Sequence, residues 1–241
     1  MATSSILVLG GKGKTGSRVA SQLQPRGVSV RAASRNGSTR FDWDDEGTWA
    51  PALDGADAVY LVDSQGPDAA QTLGEFSELA VARGTSRLVL LSARDAANSA
   101  KDELPASERA VRDSGGDWTI LRPSWFAQNF SEIPFLRDAV LSGEVVLPAG
   151  DGREPFIDAD DIAAVAVALL IGDGHVGQTY ELTGPRLLSF GMAVEEIAKA
   201  TGRNLRYVAA AEDAFAAHAV ERGESLEFAE TVNTDEPSTA C

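Results

Sequence analysis

Cysteine is almost absent from this 241-residue chain. Its single cysteine, Cys241, is the last residue, so no disulfide can form within the chain. Such sparse usage is typical of a reducing compartment. The longest wholly apolar run, residues 162–171, is about half of what a membrane-spanning helix needs. Only residues 2–5 precede the first apolar segment, which leaves no room for a signal peptide. We therefore expect a cytoplasmic protein that neither leaves the cell nor spans a membrane.

Positive charge is also scarce. The chain has 21 Lys and Arg against 36 Asp and Glu, for a formal net charge of −15. Nucleic acids and anionic lipid surfaces bind proteins through clustered Lys and Arg, so neither is expected as a partner. The only histidines are His175, in a glycine-rich turn, and His218, on a late helix, and no cluster has the spacing of metal ligands. We predict no metal site.

Short apolar runs alternate with helical patterns along the first half of the chain. Runs at residues 6–9, 28–32, 40–43, 58–62, 87–91 and 118–121 predict strands, and patterns at 49–53, 72–83 and 107–114 predict helices. A continuous apolar run such as residues 6–9 is typical of a strand covered on both faces. The alternation predicts an α/β fold, a Rossmann-type doubly wound parallel sheet.

The regular alternation ends after residue 123. Beyond it we expect strands at 145–147, 179–182 and 205–208, an apolar helix capped by Asp160 and Asp161, and a helix at 190–201. We interpret this region as a smaller C-terminal substrate-side lobe packed on the core. The predicted division is a dinucleotide-binding core at 1–130, the lobe at 131–230 and a loose polar tail at 231–241.

A glycine-rich turn directly follows the first predicted strand and opens the first helix. It comprises Gly10, Lys12, Gly13, Lys14, Thr15 and Gly16. In dinucleotide-binding turns one glycine allows the tight turn, one lets the backbone approach the pyrophosphate, and one allows close packing of helix and strand. An ordinary turn is the alternative, but the strand–turn–helix context favours a dinucleotide site.

The end of the second predicted strand indicates which dinucleotide is bound. Sites for NAD usually have an acid there for the ribose 2′-hydroxyl, whereas an Arg accommodates a 2′-phosphate. This chain has Ser34 and Arg35 and no acid, and Lys12 and Lys14 add positive charge nearby. Solvated surface charge is the alternative for Arg35 and Lys12. We predict NADPH as the cofactor.

Several further motifs occur in the order of a known family. They lie at residues 10–16, 41–43, 56–62, 89–93, 118–126, 129–130 and 156–163. In these motifs the chain resembles the NmrA-like branch of atypical short-chain dehydrogenases, and within it the ergot-alkaloid group of agroclavine and festuclavine dehydrogenases. The resemblance runs from Ile6 to about Tyr207.

The resemblance implies further residue roles. Asp42 would contact the adenine end of the cofactor, and Val62, Asp63 and Ser64 would line its channel. Ser92 would lie near the nicotinamide, as the one candidate catalytic residue, and Pro123 beside it. The predicted substrate residues are Trp125, Phe126, Asn129 and Phe130.

Some of these residues also have a purely structural interpretation. Trp125, Phe126 and Phe130 could instead be core aromatics under a loop. The acids at positions 158, 160 and 161 are better explained as helix-capping residues, since a helix N-terminus favours carboxylates.

The chain departs from the family pattern in two ways. Carbonyl-reducing members carry Tyr-x-x-x-Lys, but no tyrosine here has Lys four residues later, and Leu104 and Glu108 occupy the corresponding positions. The family also continues with further helix beyond Pro237, so we expect the C-terminal cover of the pocket to be absent or remodelled.

Two functions are consistent with the sequence. One is an NADPH-dependent reductase that transfers hydride to a small organic substrate, such as an imine, an iminium ion or another activated acceptor, with Ser92 as a hydrogen-bond donor to it. Asp63 and Glu108 would suit a cationic substrate, unless they are solvated or capping residues. The alternative is a non-catalytic, NADP(H)-sensing NmrA-like regulator, which the missing Tyr-x-x-x-Lys would suit. The sequence leaves the substrate and the oligomeric state open.

Overall fold

The computed structural model describes residues 4–94 and 104–221. The strands are β1 (Ser5–Val8), β2 (Ser29–Ser34), β3 (Thr39–Arg40), β4 (Ala58–Leu61), β5 (Arg87–Leu91), β6 (Asp117–Pro123), β7 (Glu144–Leu147), β8 (Arg153–Glu154), β9 (Gln178–Leu182), β10 (Leu188–Ser189) and β11 (Arg206–Ala209). The helices are α1 (Gly16–Leu23), α2 (Trp49–Leu53), α3 (Ala69–Ala82), α4 (Ala106–Asp113), α5 (Asn129–Glu132), α6 (Pro134–Ser142), α7 (Ala159–Ile171), α8 (Phe190–Thr201) and α9 (Glu212–Glu221). Within these described residues no helix is both long and apolar enough to cross a membrane.

The main sheet is parallel throughout. Within the described part of the chain it has seven strands in the order β3-β2-β1-β4-β5-β6-β9. The chain moves outward from β1 in one direction through β2 and β3, then restarts on the other side with β4. This reversal beside β1 is the switch point at which doubly wound sheets bind ligands, at the carboxyl ends of the strands. The predicted fold class is confirmed.

Apolar cores cover both faces of the sheet, which explains the continuous apolar runs of its central strands. On one face Leu7 and Val59 pack with α2 and α3, where Phe76 is fully buried. On the other face Ile6 and Tyr60 pack with α1 and α7. Successive residues of β1 and β4 therefore alternate between two cores, which explains why both strands consist almost entirely of apolar residues.

The structure divides the chain differently from the predicted boundary at residue 130. Among the described residues, the first unit combines those up to 123 with 159–182, and the second combines 124–158 with 183–221. The predicted tail at 231–241 lies outside the described residues. Helix α7 and strand β9, assigned from sequence to the lobe, belong to the first unit. The reason is strand pairing, because β9 runs parallel to β6 as the last strand of the main sheet. Its helix α7 packs against α1.

The second unit has its own small sheets and its own core. Strands β7 and β11 pair in parallel, and β8 pairs with β10 in antiparallel fashion. Helices α5 and α6 were not predicted from the sequence. Pro134 is the first residue of α6, a position where the missing N–H costs nothing. The core gathers apolar side chains from α6, β7, α8 and α9, with Phe190 and Phe215 among the buried residues.

The third strand is shorter than predicted. The sequence predicts a strand at 40–43, but β3 ends at Arg40. Beyond it, the side chains of Thr48 and Trp49 satisfy the backbone of Asp42. Its N–H donates to Thr48 Oγ1 at 3.0 Å, and its carbonyl accepts from Trp49 Nε1 at 2.9 Å. Backbone groups engaged in this way are not available to a neighbouring strand.

Candidate functional site

A cleft of about 520 Å³ opens at the carboxyl ends of β1, β2 and β4. This volume lies within the range of small-molecule sites. The lining residues are Gly10, Lys12, Gly13, Ala33, Ser34, Arg35, Phe41, Asp42, Trp43, Asp44, Val62, Asp63, Ser64 and Gly66. The sequence-predicted cofactor residues on either side of the switch point are thus brought together in one concavity of the first unit.

The glycine turn forms the floor of this cleft. Gly10 has φ +61°, a conformation that favours glycine, and its carbonyl accepts from Gly13 N–H at 2.7 Å. Gly16 begins α1, where a Cβ would stand 2.3 Å from Gly10 O and 2.8 Å from Leu9 O. Gly13 is exposed and lines the cleft, and a Cβ there would meet only Gly10 O at 3.1 Å. Gly16 therefore allows helix and strand to pack closely, while Gly13 leaves space open for a ligand.

The turn after β2 carries the cationic side of the cleft. Ser34 closes this turn by accepting Gly37 N–H on its carbonyl, and the exposed Arg35 follows at the rim. Lys12, from the glycine turn, donates to Asn36 O at 3.2 Å and so ties the two turns together. Among the described residues, no hydrogen bond or ion pair engages the Arg35 guanidinium. The cleft therefore presents a cation at the rim that follows β2.

An aromatic cluster supports the cleft next to this turn. Trp43 lines the cleft and makes edge contacts to Phe41, Trp49 and Phe76, with ring centroids 4.8–6.0 Å apart. The sequence analysis gave a role only to the neighbouring Asp42 and missed Trp43. The signal that could have identified it is the motif at 41–43, in which a large aromatic side chain directly follows Asp42.

The opposite wall follows β4. Asp63 accepts hydrogen bonds from Gln65 N at 3.2 Å and from Ser107 Oγ at 3.2 Å, the latter carried by α4. Gln65 has φ +57°, an uncommon conformation for a non-glycine residue. The 63–65 turn is therefore held by its own side-chain contacts. It places Val62, Asp63 and Ser64 on the cleft, and their role towards a cofactor stays a prediction.

Ser92, Glu108 and Arg122 form a part-buried polar network at the end of β5. The Ser92 hydroxyl donates to Glu108 Oε1 at 2.8 Å, and Glu108 is completely buried. Arg122, on β6, donates to both carboxylate oxygens, from Nε at 2.8 Å and from Nη2 at 2.7 Å. Hydrogen bonding to Glu108 raises the pKa of Arg122, partly offset by burial. Glu108 is therefore neither a solvated nor merely a capping residue.

The remaining predicted residues lie away from the cleft lining. Lys14, Thr15 and Gly16 continue from the turn into α1, with Thr15 buried, and Pro123 is buried at the end of β6. Trp125, Phe126, Asn129 and Phe130 belong to the second unit.

Two of these aromatic residues pack in the core of the second unit. Phe130 is buried, and Trp125 packs edge-on against Phe190 with centroids 5.1 Å apart. Phe130 also lines an apolar cavity of about 230 Å³ in that unit. Both side chains thus belong to the apolar core of the second unit, and their role towards a substrate stays a prediction.

The structure describes all three tyrosines of the chain and the surroundings of each hydroxyl. Tyr60 is fully buried in a core, and burial raises its pKa, partly offset by the Thr15 side chain. The Tyr180 hydroxyl lies 2.9 Å from His175 Nδ1, and the Tyr207 hydroxyl donates to Leu147 O at 3.5 Å. Within residues 4–94 and 104–221, no group of three or more His, Cys, Asp or Glu could hold a metal ion.

Known proteins resemble the chain in sequence and in fold. A profile of the family described as NAD(P)H-binding matches residues 10–172. An uncharacterized oxidoreductase of Bacillus subtilis is 37% identical over 86% of this chain and 75% of its own length. Festuclavine dehydrogenase of Aspergillus fumigatus is 36% identical over 86% of this chain and 77% of its own length. The predicted resemblance to the ergot-alkaloid group is confirmed.

A solved structure agrees with the fold. The NADPH-dependent quinone oxidoreductase of Escherichia coli, in complex with NADPH, superimposes with a TM-score of 0.75 at 24% identity. The match covers 94% of this chain and 86% of that one. At this identity the likeness supports the fold alone.

Proposed function

The chain belongs to the NAD(P)H-binding family and is an NAD(P)H-dependent oxidoreductase, and from that premise we propose that it uses NADPH to reduce a small organic substrate with a C=N or iminium bond. The observation that carries the proposal is the meeting of the glycine turn and Arg35 in one cleft. The two relatives described above are named as an oxidoreductase and a dehydrogenase, which favours the enzyme over the regulatory alternative.

The residues of the cleft fit a dinucleotide. The exposed Gly13 has room where a side chain would stand, and the N-terminal end of α1 follows the turn, so backbone N–H groups and the helix dipole favour an anion there. The wall formed by Asp42 and Trp43 offers a carboxylate and an aromatic surface for the adenine end. When bound, the cofactor supplies a hydride. The residues of the chain bind and orient the reactants.

Arg35 supports NADPH over NADH. Its guanidinium stands at the cleft rim beside the Ser34 hydroxyl, and no acid stands at the end of β2 to accept a ribose 2′-hydroxyl. A charge-assisted hydrogen bond is worth about 1.5–3 kcal/mol, which corresponds to roughly tenfold to a hundredfold in affinity. Acidic residues outnumber basic residues over the whole chain, so the positive charge of Arg35 at this rim is the feature that would select a 2′-phosphate.

The lack of a Tyr-x-x-x-Lys pair in the sequence supports an iminium-type acceptor. A ketone that receives hydride becomes an alkoxide and needs a proton donor or oxyanion stabiliser, whereas an iminium carbon becomes a neutral amine without a proton. None of the three tyrosines is followed by Lys four residues later, and Tyr60 is enclosed in a core. The Ser92 hydrogen is donated to Glu108. Catalysis would then rest mainly on positioning the reactants.

The first experiment measures dissociation constants for NADPH and NADH by calorimetry. We expect at least tenfold tighter binding of NADPH, and Arg35→Ala should remove most of that preference. Arg83→Ala is the matched control, because Arg83 caps the C-terminus of α3 at the opposite end of the strands and its removal changes the net charge equally. Equal affinities in the unmodified protein would refute the cofactor assignment.

The second experiment follows NADPH absorbance with a panel of cyclic iminium ions, quinones, enones and simple ketones. We expect the iminium ions to turn over at least tenfold faster than the ketones. Turnover of simple ketones at the same rate would show that an acid outside the Tyr-x-x-x-Lys pattern supplies the proton.

A further inference from the structure

The network of Ser92, Glu108 and Arg122 fixes the direction of a hydrogen bond. A serine hydroxyl has one hydrogen, and that of Ser92 is directed at Glu108 Oε1 over 2.8 Å. Arg122 donates to both oxygens of this carboxylate, and Arg112 Nη2 lies 3.7 Å from Oε2. Glu108 is fully buried, so no water can replace Ser92 as the donor. Ser92 Oγ can therefore make further hydrogen bonds only as an acceptor, through its lone pairs.

The backbone of Ser92 is equally constrained. Its N–H donates to Leu121 O at 2.8 Å, which continues the pairing of β5 with β6 by one residue. Glu108 reaches the same point from α4, and Arg122 reaches it from β6. Three elements of one unit thus converge on a single partly exposed hydroxyl. A surface serine does not need such support.

The position of Ser92 along the sheet indicates what it would face. Arg35 and Asp42 stand beyond β2 and β3, and the glycine turn follows β1, so the adenosine half of a dinucleotide lies on that side. The other half must then extend along the carboxyl ends of β4 and β5. Ser92 directly follows β5, so the nicotinamide half would pass beside it.

We infer that Ser92 accepts a hydrogen bond from the carboxamide NH₂ of the nicotinamide, and that Glu108 is the positioning residue that imposes this role. The inference rests on the proposed function. It replaces the expectation that Ser92 donates to the substrate, because its hydrogen is already engaged. Arg122 donates to both oxygens of Glu108 and so holds the side chain that accepts from Ser92 in place.

A cofactor analogue distinguishes an acceptor from a donor. In the 3-acetylpyridine analogue of NADPH a methyl group replaces the NH₂ of the carboxamide, while the carbonyl oxygen is retained. A site that accepts from the NH₂ discriminates between the two cofactors, whereas a site that donates to the carbonyl does not. One hydrogen bond corresponds to roughly a two- to tenfold preference.

The experiment measures dissociation constants of both cofactors for the full chain and its variants. We expect the unmodified protein to prefer NADPH over the analogue by roughly two- to tenfold, and Ser92→Ala to reduce that ratio towards one. Ser92→Thr keeps a hydroxyl and should keep the ratio. Ser77→Ala is the control, because it removes a serine hydroxyl in the same unit that donates to Leu73 O in α3.

Glu108→Gln tests the positioning role. A Gln amide can donate to Ser92 as well as accept from it, so the ratio should fall even if both affinities change. A purely structural role would weaken both cofactors equally and leave the ratio intact. If Glu108→Gln does not fold, the ratios of the Ser92 variants decide the question.

Different results would refute the proposed function and the inference about Ser92. No binding of NADPH to the unmodified protein would refute the proposed function. Normal NADPH binding with a ratio that Ser92→Ala leaves unchanged would overturn this inference alone.

Discussion

Gly16→Ala should destabilise the protein by about 2 kcal/mol without touching the ligand space. The added Cβ would stand 2.3 Å from Gly10 O, 2.7 Å from Gly10 C and 2.8 Å from Leu9 O, all of them backbone atoms that cannot rotate away. Overpacking of this kind costs about 1–3 kcal/mol, and three backbone contacts under 3.0 Å put this site at the upper end of that range. Alanine recovers at most about 1 kcal/mol, because glycine is a poorer helix former. The clash therefore outweighs the gain in helix propensity.

Gly13 provides the matched comparison. A Cβ there meets only Gly10 O at 3.1 Å, so Gly13→Ala should change stability by less than about 1 kcal/mol. Gly13→Val should abolish NADPH binding while the fold persists, because its branched side chain enters the cleft.

Urea denaturation followed by circular dichroism measures the stability of each variant, and calorimetry measures NADPH affinity. If Gly16→Ala unfolds at the same urea concentration as the unmodified protein, the close approach of α1 to the turn is not a constraint. Unchanged affinity in Gly13→Val would place the cofactor elsewhere.

Two further substitutions test the cores of the first unit. Tyr60→Phe should leave stability unchanged or raise it by up to about 1 kcal/mol, because the buried Tyr60 hydroxyl makes no hydrogen bond of normal geometry with the described residues. Burial raises the pKa of Tyr60 in the folded state, so pH does not affect stability through this group below the ordinary tyrosine pKa of about 10. Above it the unfolded state ionises before the folded state, and the stability of the unmodified protein falls as the pH rises. The variant should therefore lose less stability than the unmodified protein in urea unfolding above pH 10, and an equal alkaline loss would contradict this. Phe76→Ala should cost about 3–5 kcal/mol, since Phe76 is fully buried and contacts Phe41, Trp43 and Trp49 edge-on. A loss below about 1 kcal/mol by the same assay would show that the aromatic cluster does not support the cleft.

The central strands could be predicted from sequence because each is a run of consecutive apolar residues, which indicates a strand buried on both faces. Strand β5 has the predicted bounds, and β1 and β4 differ from prediction by a single residue at one end or both. The glycine turn could be predicted for a similar reason, since its constraint lies within seven residues. Local chemistry of this kind leaves a local pattern.

The features that depend on distant contacts could not be predicted. The pairing of β9 with β6 joins segments more than fifty residues apart, so the assignment of α7 and β9 to the first unit left no local signal. The burial of Glu108 depends on Arg122 from the next strand and Ser92 from the previous one. From sequence alone, a carboxylate within a helical pattern is interpreted as solvent-exposed, because its partners in the fold are not known. Trp43 lines the cleft because Thr48 and Trp49 fold the chain back onto Asp42.

The interleaving of the two units has a consequence for biosynthesis. The chain crosses from one unit to the other after residues 123, 158 and 182. Neither unit is therefore complete during synthesis until residue 182 has been added. A nascent chain that ends near residue 158 has β6 as an unpaired edge and lacks α7, which leaves the core around Val89 and Leu121 uncovered. Exposed edges and uncovered apolar faces favour aggregation. Translation pauses or truncations between residues 124 and 182 should therefore lower the yield of folded protein. The same changes near either end of the chain should lower it less.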